Sequence, residues 1–188
     1  MTNLTRRGLI QGATAGGAAL TSALIAGQAS AASATEIARD VAASEQFLFN
    51  TVPGSAELAA RARGVLIMPD VIKGGLIIGG SYGEGALKVG GVIQNYYSVA
   101  AASIGYQIGV QKTSHALFFM TQPALEKFRR ADGWELGADA EFTVPGDGIS
   151  LNVNSTTIKS PVVAIVYAQD GLLAGASLEG AKYTRIVR

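Results

Sequence analysis

Gly79-Gly80-Ser81-Tyr82-Gly83 has the Gly-x-Ser-x-Gly spacing that lifts a serine hydroxyl onto a sharp turn in ester hydrolases. That chemistry needs a strand, the turn and then a helix, with an acid and a histidine following the serine in that order. Ser81 is followed instead by Glu84-Gly85-Ala86-Leu87-Lys88-Val89-Gly90, which has no helical pattern. The only histidine, His115, precedes Asp132, Asp139, Asp147 and Asp170, so Glu84 alone could supply the acid in the required order. A lipid-ester hydrolase using Ser81 is therefore the weakest reading, and no catalytic residue is assigned.

Other chemistry finds even less support. One histidine and no cysteine do not make a zinc site. Asp132, Asp139, Glu141 and Asp147 do not follow a calcium-loop spacing. There is no Gly-x-x-x-x-Gly-Lys-Ser/Thr, and the glycines around Gly83 lack the strand-to-helix setting of a dinucleotide site. Neither a metal nor a cofactor is expected. His115 opens the apolar run Ala116-Leu117-Phe118-Phe119-Met120, where a lone histidine is usually structural.

The candidates that remain are cations and glycines. Arg61 and Arg63 precede an apolar strand, Lys73 follows Pro69, and Lys88, Lys112, Lys127, Arg129 and Arg130 lie further on. Lys127, Arg129 and Arg130 fall in the last turn of a helical segment, where cations complement the helix dipole. Arg61, Arg63 and Lys73 are read as flanking one strand end. Such a cluster can hold a lipid phosphate, arginine bidentately and lysine as a point charge. Gly75 and Gly79, Gly105 and Gly109, and Gly171 and Gly175 repeat a four-residue spacing. In a strand that spacing bares backbone on one face, for close packing or for an acyl chain lying in a groove.

These groups need elements to position them. Arg6-Arg7 opens an acid-free, Ala/Gly/Leu-rich stretch that ends in small residues at Ala29-Ser30-Ala31 and Ala32-Ser33-Ala34. This is the order of a cleavable export signal, in its twin-arginine form. Cleavage is expected after Ala31 or after Ala34, ahead of retention as an anchor; residues 1–34 are taken as the leader and residues 35–188 as one domain, periplasmic or secreted. The leader holds two of the 15 Lys+Arg and none of the 14 Asp+Glu, so the mature balance is 13 against 14. Such a protein has no global basic field with which to attract nucleic acid.

Thr35 to Phe49 places Ile37, Val41 and Leu48 on one helical stripe, and Ala56 to Ala62 reads as a second helix with Ser55 as its cap. Val65-Leu66-Ile67-Met68, closed by Pro69, reads as a buried strand. Further strands are expected near 75–82, 84–93, 96–111, 115–121, 134–143, 148–153, 162–169 and 171–180. One helix interrupts them, capped by Thr121 with Pro123 in its first turn. The expected class is α+β: a mainly antiparallel, barrel-like sheet with two N-terminal helices and one helix inserted after about residue 121.

Arg63-Gly64-Val65-Leu66-Ile67-Met68-Pro69-Asp70-Val71-Ile72-Lys73-Gly74-Gly75, continuing through Gly79-Gly80-Ser81-Tyr82-Gly83-Glu84-Gly85, resembles the opening signature of the SYLF domain family, the Ysc84-type domain. Tyr97-Ser98, Ser103 to Gly109, Phe128 and the closing Tyr167 to Gly180 resemble the later blocks in the same order. The resemblance implies a non-enzymatic lipid-binding module. Its eukaryotic members bind phosphoinositides, and some bundle actin, through basic residues and an amphipathic segment before the core. In a bacterial envelope it implies anionic phospholipid or another amphiphile as ligand, peripheral contact with a membrane, and no actin. Lys73 matches the family's turn lysine. The Thr35–Phe49 helix stands where the membrane-touching segment would, but Asp40 and Glu45 on its polar face suit packing against the sheet better. The other alternative is an interaction protein that meets an envelope partner through sheet surface around Tyr96, Tyr97 and Tyr106.

Overall fold

The computed structural model describes residues 32–75, 78–104, 110–136, 142–143, 160–168, 171–172, 178 and 180–188, all within one compact unit that begins at Ala32. Helices α1 (Ala34–Thr51) and α2 (Ser55–Arg61) come first. Then follow β1 (Gly64–Gly75), β2 (Ile78–Val89), β3 (Val92–Ile104) and β4 (Val110–Phe119). After helix α3 (Gln122–Arg130) come β5 (Trp134–Glu135), β6 (Phe142–Thr143), β7 (Val162–Ala168), β8 (Gly171–Leu172) and β9 (Lys182–Ile186). The strands form one sheet in the order β5-β9-β3-β2-β1-β4-β7-β6, with β8 on β7; every pair is antiparallel except β6 with β7. The sheet curls into a half-barrel, so the class is α+β as expected.

Local sequence explains each helix. Ser33 caps α1 through a capping box: its Oγ accepts from the Glu36 N–H, and the Glu36 carboxylate accepts from the Ser33 N–H. Ile37, Val41 and Leu48 are buried against the sheet, as the periodicity required. Thr121 caps α3 with proline in the first turn and three cations in the last. At α2 the cap differs from expectation. Gly54, in the left-handed region at φ 85, is the N-cap. Ser55 lies inside the helix and donates back to the Val52 and Leu48 carbonyls, closing the α1–α2 corner.

The strand boundaries move because hairpins fall inside two of the expected strands. Segment 75–82 is not one strand, because β1 ends at Gly75, β2 begins at Ile78, and Gly75 pairs with Gly79 across the hairpin. Segment 84–93 is cut by Gly90 and Gly91, whose φ values of 60 and 80 make the two-residue turn into β3. Positions 105–109 within the expected 96–111 strand, and the whole expected 148–153 strand, lie outside the described residues.

The sheet has a core on each face. On the concave side Leu66, Met68, Val71, Tyr97, Val99, Leu117 and Phe119 pack with Leu125 and Phe128 of α3 and with Trp134 and Tyr183. The rings of Phe119, Phe128, Trp134 and Tyr183 meet edge-on or tilted at 4.7–6.3 Å. On the outer side Val65, Ile67, Ala86, Ala116, Phe118 and Ile165 pack under α1 and α2.

One irregularity organises both faces. Between Ile67 and Ile72, β1 holds one residue more than β2, and between Met68 and Val71 one more than β4. This one-residue bulge sits at Pro69-Asp70. Proline has no N–H to lose from the ladder there. Asp70 takes φ 51, and its N–H is captured by Ser114 Oγ at 3.1 Å. Opposite the bulge β2 carries Gly83 and Gly85. A Cβ on Gly85 would stand 2.1 Å from the Ile67 carbonyl oxygen and 2.7 Å from Met68 Sδ, and one on Gly83 2.8 Å from Val71 Cγ2. Gly85→Ala is therefore expected to destabilise the protein by about 3 kcal/mol, since strand backbone cannot move aside. Gly80→Ala, whose Cβ meets only the Ala101 carbonyl at 3.5 Å, should shift stability by less than about 0.5 kcal/mol. Urea unfolding of the two variants checks the contrast, and equal losses would contradict it.

Candidate functional site

The bulge decides where the sequence-selected cations lie. Leu66 and Met68 face the concave core, and the extra residue returns Val71 to that side. Lys73, two residues on, shares the side in a row with Ser81 and Ala101, and Ala101 packs on the same core. Lys73 is half-buried at the hairpin end of the concave face. Among the described residues it has no ion-pair partner.

Arg63 is ten residues back along β1, up to roughly 33 Å away in extended chain. Its backbone N–H donates to the Phe119 carbonyl and its side chain is exposed. Arg61 ends α2 and pairs with Glu57 at 2.5 Å. Lys88, in the row next to Val65, is ion-paired with Glu45 of α1, both side chains largely buried. The expectation that Arg61, Arg63 and Lys73 flank one strand end is thus corrected. The strand does not stop at Pro69, because the bulge absorbs the proline and β1 continues to Gly75. Arg61, Arg63 and Lys88 gather at the α2 end of the sheet, and Lys73 lies at the other, with Lys112 on the opposite face of the neighbouring β4. Lys88 ties α1 to the sheet, which is also the use found for the acidic face of that helix.

Of the glycines, Gly75 and Gly79 face each other across the β1–β2 hairpin instead of lining one strand, and Gly171 starts β8 opposite Ala168. Gly105, Gly109 and Gly175 lie outside the described residues. Of the tyrosines considered for a protein partner, Tyr97 is fully buried, with its ring 4.6 Å from Phe128; Tyr96 is half-buried against the outer core, and Tyr106 lies outside the described residues.

Ser81 lies in the middle of β2, paired with Lys73 and Ala101, and β2 turns directly into β3. The strand–turn–helix setting of a nucleophile elbow is therefore missing around it. His115 is buried on the concave side of β4, its Nε2 2.9 Å from the Tyr183 hydroxyl. Burial holds the imidazole at about 3, and burial likewise raises Tyr183. Both are neutral core groups near pH 7. Among the described residues no cluster of His, Asp or Glu can hold a metal ion, and no helix is long and apolar enough to cross a membrane.

Two features escaped the sequence reading. The bulge and α1 enclose a cleft of about 200 Å³ lined by Asp40, Ala43, Ser44, Phe47, Pro69, Asp70, Ser114 and Tyr167. Tyr167 closes its floor, with its hydroxyl 2.8 Å from Ser44 Oγ and burial pushing it up to about 12. Glu84, on the outer face, accepts from the Tyr82 hydroxyl at 2.6 Å and from Arg188 at 2.5 Å. Burial opposes its ionisation most, but these bonds and one from the Ala32 N–H outweigh it and hold the carboxyl below its ordinary value. A proline inside an apolar run beside a Gly-x-Gly was the available signal for the bulge. Nothing local announces the Glu84 contacts, which span the chain.

The buried His115 makes stability depend on pH. The unfolded chain takes up this proton near 6.5 while the folded protein resists it down to about 3. Its contribution is thus complete above 6.5 and drains away as pH falls through that window, at about 1.4 kcal/mol per pH unit. Chemical denaturation of the wild type and His115→Gln between pH 7.5 and 4.5 should show the shallower slope in the variant. Parallel slopes would contradict this assignment.

Residues 100–186 match the family model Ysc84, described as Las17-binding protein actin regulator. This is the SYLF family that the sequence resembles, and the matched stretch runs from the middle of β3 to the end of β9. No curated protein matches the chain.

Proposed function

We propose that this protein, which carries a Ysc84-type match over its C-terminal half, binds anionic phospholipid headgroups or acyl chains in a bacterial cell envelope and catalyses no reaction. A family described by binding and actin regulation supports an interaction role over a chemical one. The observation that carries the lipid reading is Lys73. It is a cation without an ion partner among the described residues, on the concave face at the hairpin end, where Ser81 and Ala101 leave room beside it. A phosphate there would gain a charge-assisted hydrogen bond in partly desolvated surroundings. Actin is set aside because of the export signal.

Because the mature chain is almost neutral, attraction must be local, and the two ends of β1 can be separated. Co-sedimentation of the protein with phosphatidylglycerol or cardiolipin vesicles, against phosphatidylcholine, should show binding to the anionic vesicles alone, weakened by salt. Lys73→Glu should weaken that binding about tenfold and flatten its salt dependence, while Arg63→Glu changes it less. Unchanged affinity in a well-folded Lys73→Glu would remove the residue from the site. Binding to no vesicle, with no lipid co-purifying, would favour an envelope protein partner.

Export also receives a sharper form. Cleavage after Ala31 would keep the Ser33–Glu36 capping box and would turn the Ala32 nitrogen, already bonded to Glu84, into an ammonium beside that carboxylate. Cleavage after Ala34 would discard both. The expected product begins at Ala32, which intact-mass measurement of the exported protein reads directly; a product beginning at Thr35 would refute it.

A further inference from the structure

Among the described residues two buried side-chain polar atoms have no hydrogen-bond partner, the Tyr97 hydroxyl and the Trp134 indole nitrogen. Trp134 stands inside the aromatic cluster, its ring 5.2–6.1 Å from those of Phe128, Tyr183 and Phe119. Tyr97 meets that cluster through Phe128, and two cations bear on it. Pairing places Arg185 of β9 beside it on the concave face, with Cβ atoms about 5 Å apart. From the other side its ring lies 4.6 Å from Phe128 of α3, and Arg129 is the next residue of that helix, one turn from buried Leu125. Burial raises the Tyr97 phenol above its ordinary value, and the charges of Arg185 and then Arg129 act against that rise. Both guanidinium groups thus reach one hydroxyl.

Neither arginine is matched. Arg129 and Arg185 are exposed and form no ion pair among the described residues. The cations around them are already satisfied: Arg130 holds Glu126, and Arg188 holds Glu84. Asp132, the one carboxylate between α3 and β5, forms no ion pair among the described residues either, and Gly133 at φ 106 turns the chain between it and Trp134. Glu135 lies opposite Lys182, on the other face. Two positive charges therefore share at most one negative. Asn95, two residues back along β3 on the concave face, is half-buried, and its amide has no hydrogen-bond partner among the described residues.

We propose that Arg129 and Arg185 form a binding site for a phosphate group, with the Tyr97 hydroxyl as the donor beneath them. Two planar guanidinium forks match phosphate oxygens bidentately, and a third oxygen takes the hydrogen bond that the fold leaves unmade. A carboxylate has too few oxygens for both forks and the hydroxyl. The phosphate can be free or carried by a lipid headgroup. This site does not rest on Lys73: Ala101, in the Lys73 row, is four residues from Tyr97 along β3, about 13 Å.

The test titrates the purified protein with inorganic phosphate and, separately, with short-chain phosphatidylglycerol below its micelle concentration. Calorimetry reads the affinity, and NMR follows the arginine Nε–H signals, of which those of Arg129 and Arg185 should shift. Arg129→Gln/Arg185→Gln should weaken binding about tenfold. Lys182→Gln, which removes an equally unpaired cation from the other face of β9, should leave it unchanged. Tyr97→Phe separates ligand from fold: loss of an unpartnered buried hydroxyl should leave the urea midpoint in place or raise it, while binding weakens several-fold. Binding of both probes with these losses makes phosphate itself the ligand, and binding of the lipid alone with the same losses assigns the site to a headgroup. Wild-type affinity in the folded double variant, an equal loss in Lys182→Gln, or binding of neither probe overturns the inference. Wild-type affinity in Tyr97→Phe removes the hydroxyl and overturns the site as stated.

Discussion

Most of what the sheet presents, inside and out, follows from the extra residue in β1 at Pro69-Asp70. Side chains alternate strictly along a strand, so a single insertion exchanges the faces of every residue beyond it. Without it Val71 would leave the core, Ile72 would be buried, and Lys73 would point away from the concave side. With it the central strand keeps its core register at one end and delivers a cation inward and an isoleucine outward at the other. A left-handed Asp70 is costly on its own. Its N–H bond to Ser114, its ion pair with Lys112 and the absence of side chains on Gly83 and Gly85 all act to hold it.

The cores on the two faces answer to this arrangement differently. The aromatic cluster around Phe128 and Trp134 fills the concavity beneath α3, and the neutral His115–Tyr183 pair is built into the same layer. Outside, α1 covers only part of the sheet. It is held by its apolar stripe, by Lys88 with Glu45 and by Tyr167 with Ser44. Ile72 and Tyr82, beyond the reach of α1 on this face, stay exposed.

How far the sequence was legible depended on the range of the signal. Helices α1 and α3 could be read because stripe, cap and dipole charges are local and agree with one another. The α+β class could be read because glycine turns divide apolar runs at strand length. The β2–β3 turn was misplaced because Gly90 and Gly91 act as turn residues, and spacing alone does not distinguish a turn glycine from one that bares a strand. The bulge was mistaken for a strand end because proline normally stops a central strand, and what makes it tolerable lies on β2 and β4. The same error drew Arg63 and Lys73 into one cluster. The Tyr97–Arg185 pair was beyond reach, since register between strands is a tertiary property.

Charge balance gives these placements their weight. A protein of 15 cations and 14 anions cannot concentrate an anionic ligand by its overall field, so whatever it binds must be selected over a Debye length or less. Over that distance what matters is which cations lack a partner. Arg61, Lys88, Lys112, Arg130 and Arg188 are each satisfied by a carboxylate. Arg63, Lys73, Arg129, Lys182 and Arg185 have no ion pair among the described residues. A near-neutral chain can thus acquire a directional preference for negative surfaces without becoming basic. It does so by pairing several of its cations internally and leaving others, Lys73 among them, without a carboxylate partner among the described residues.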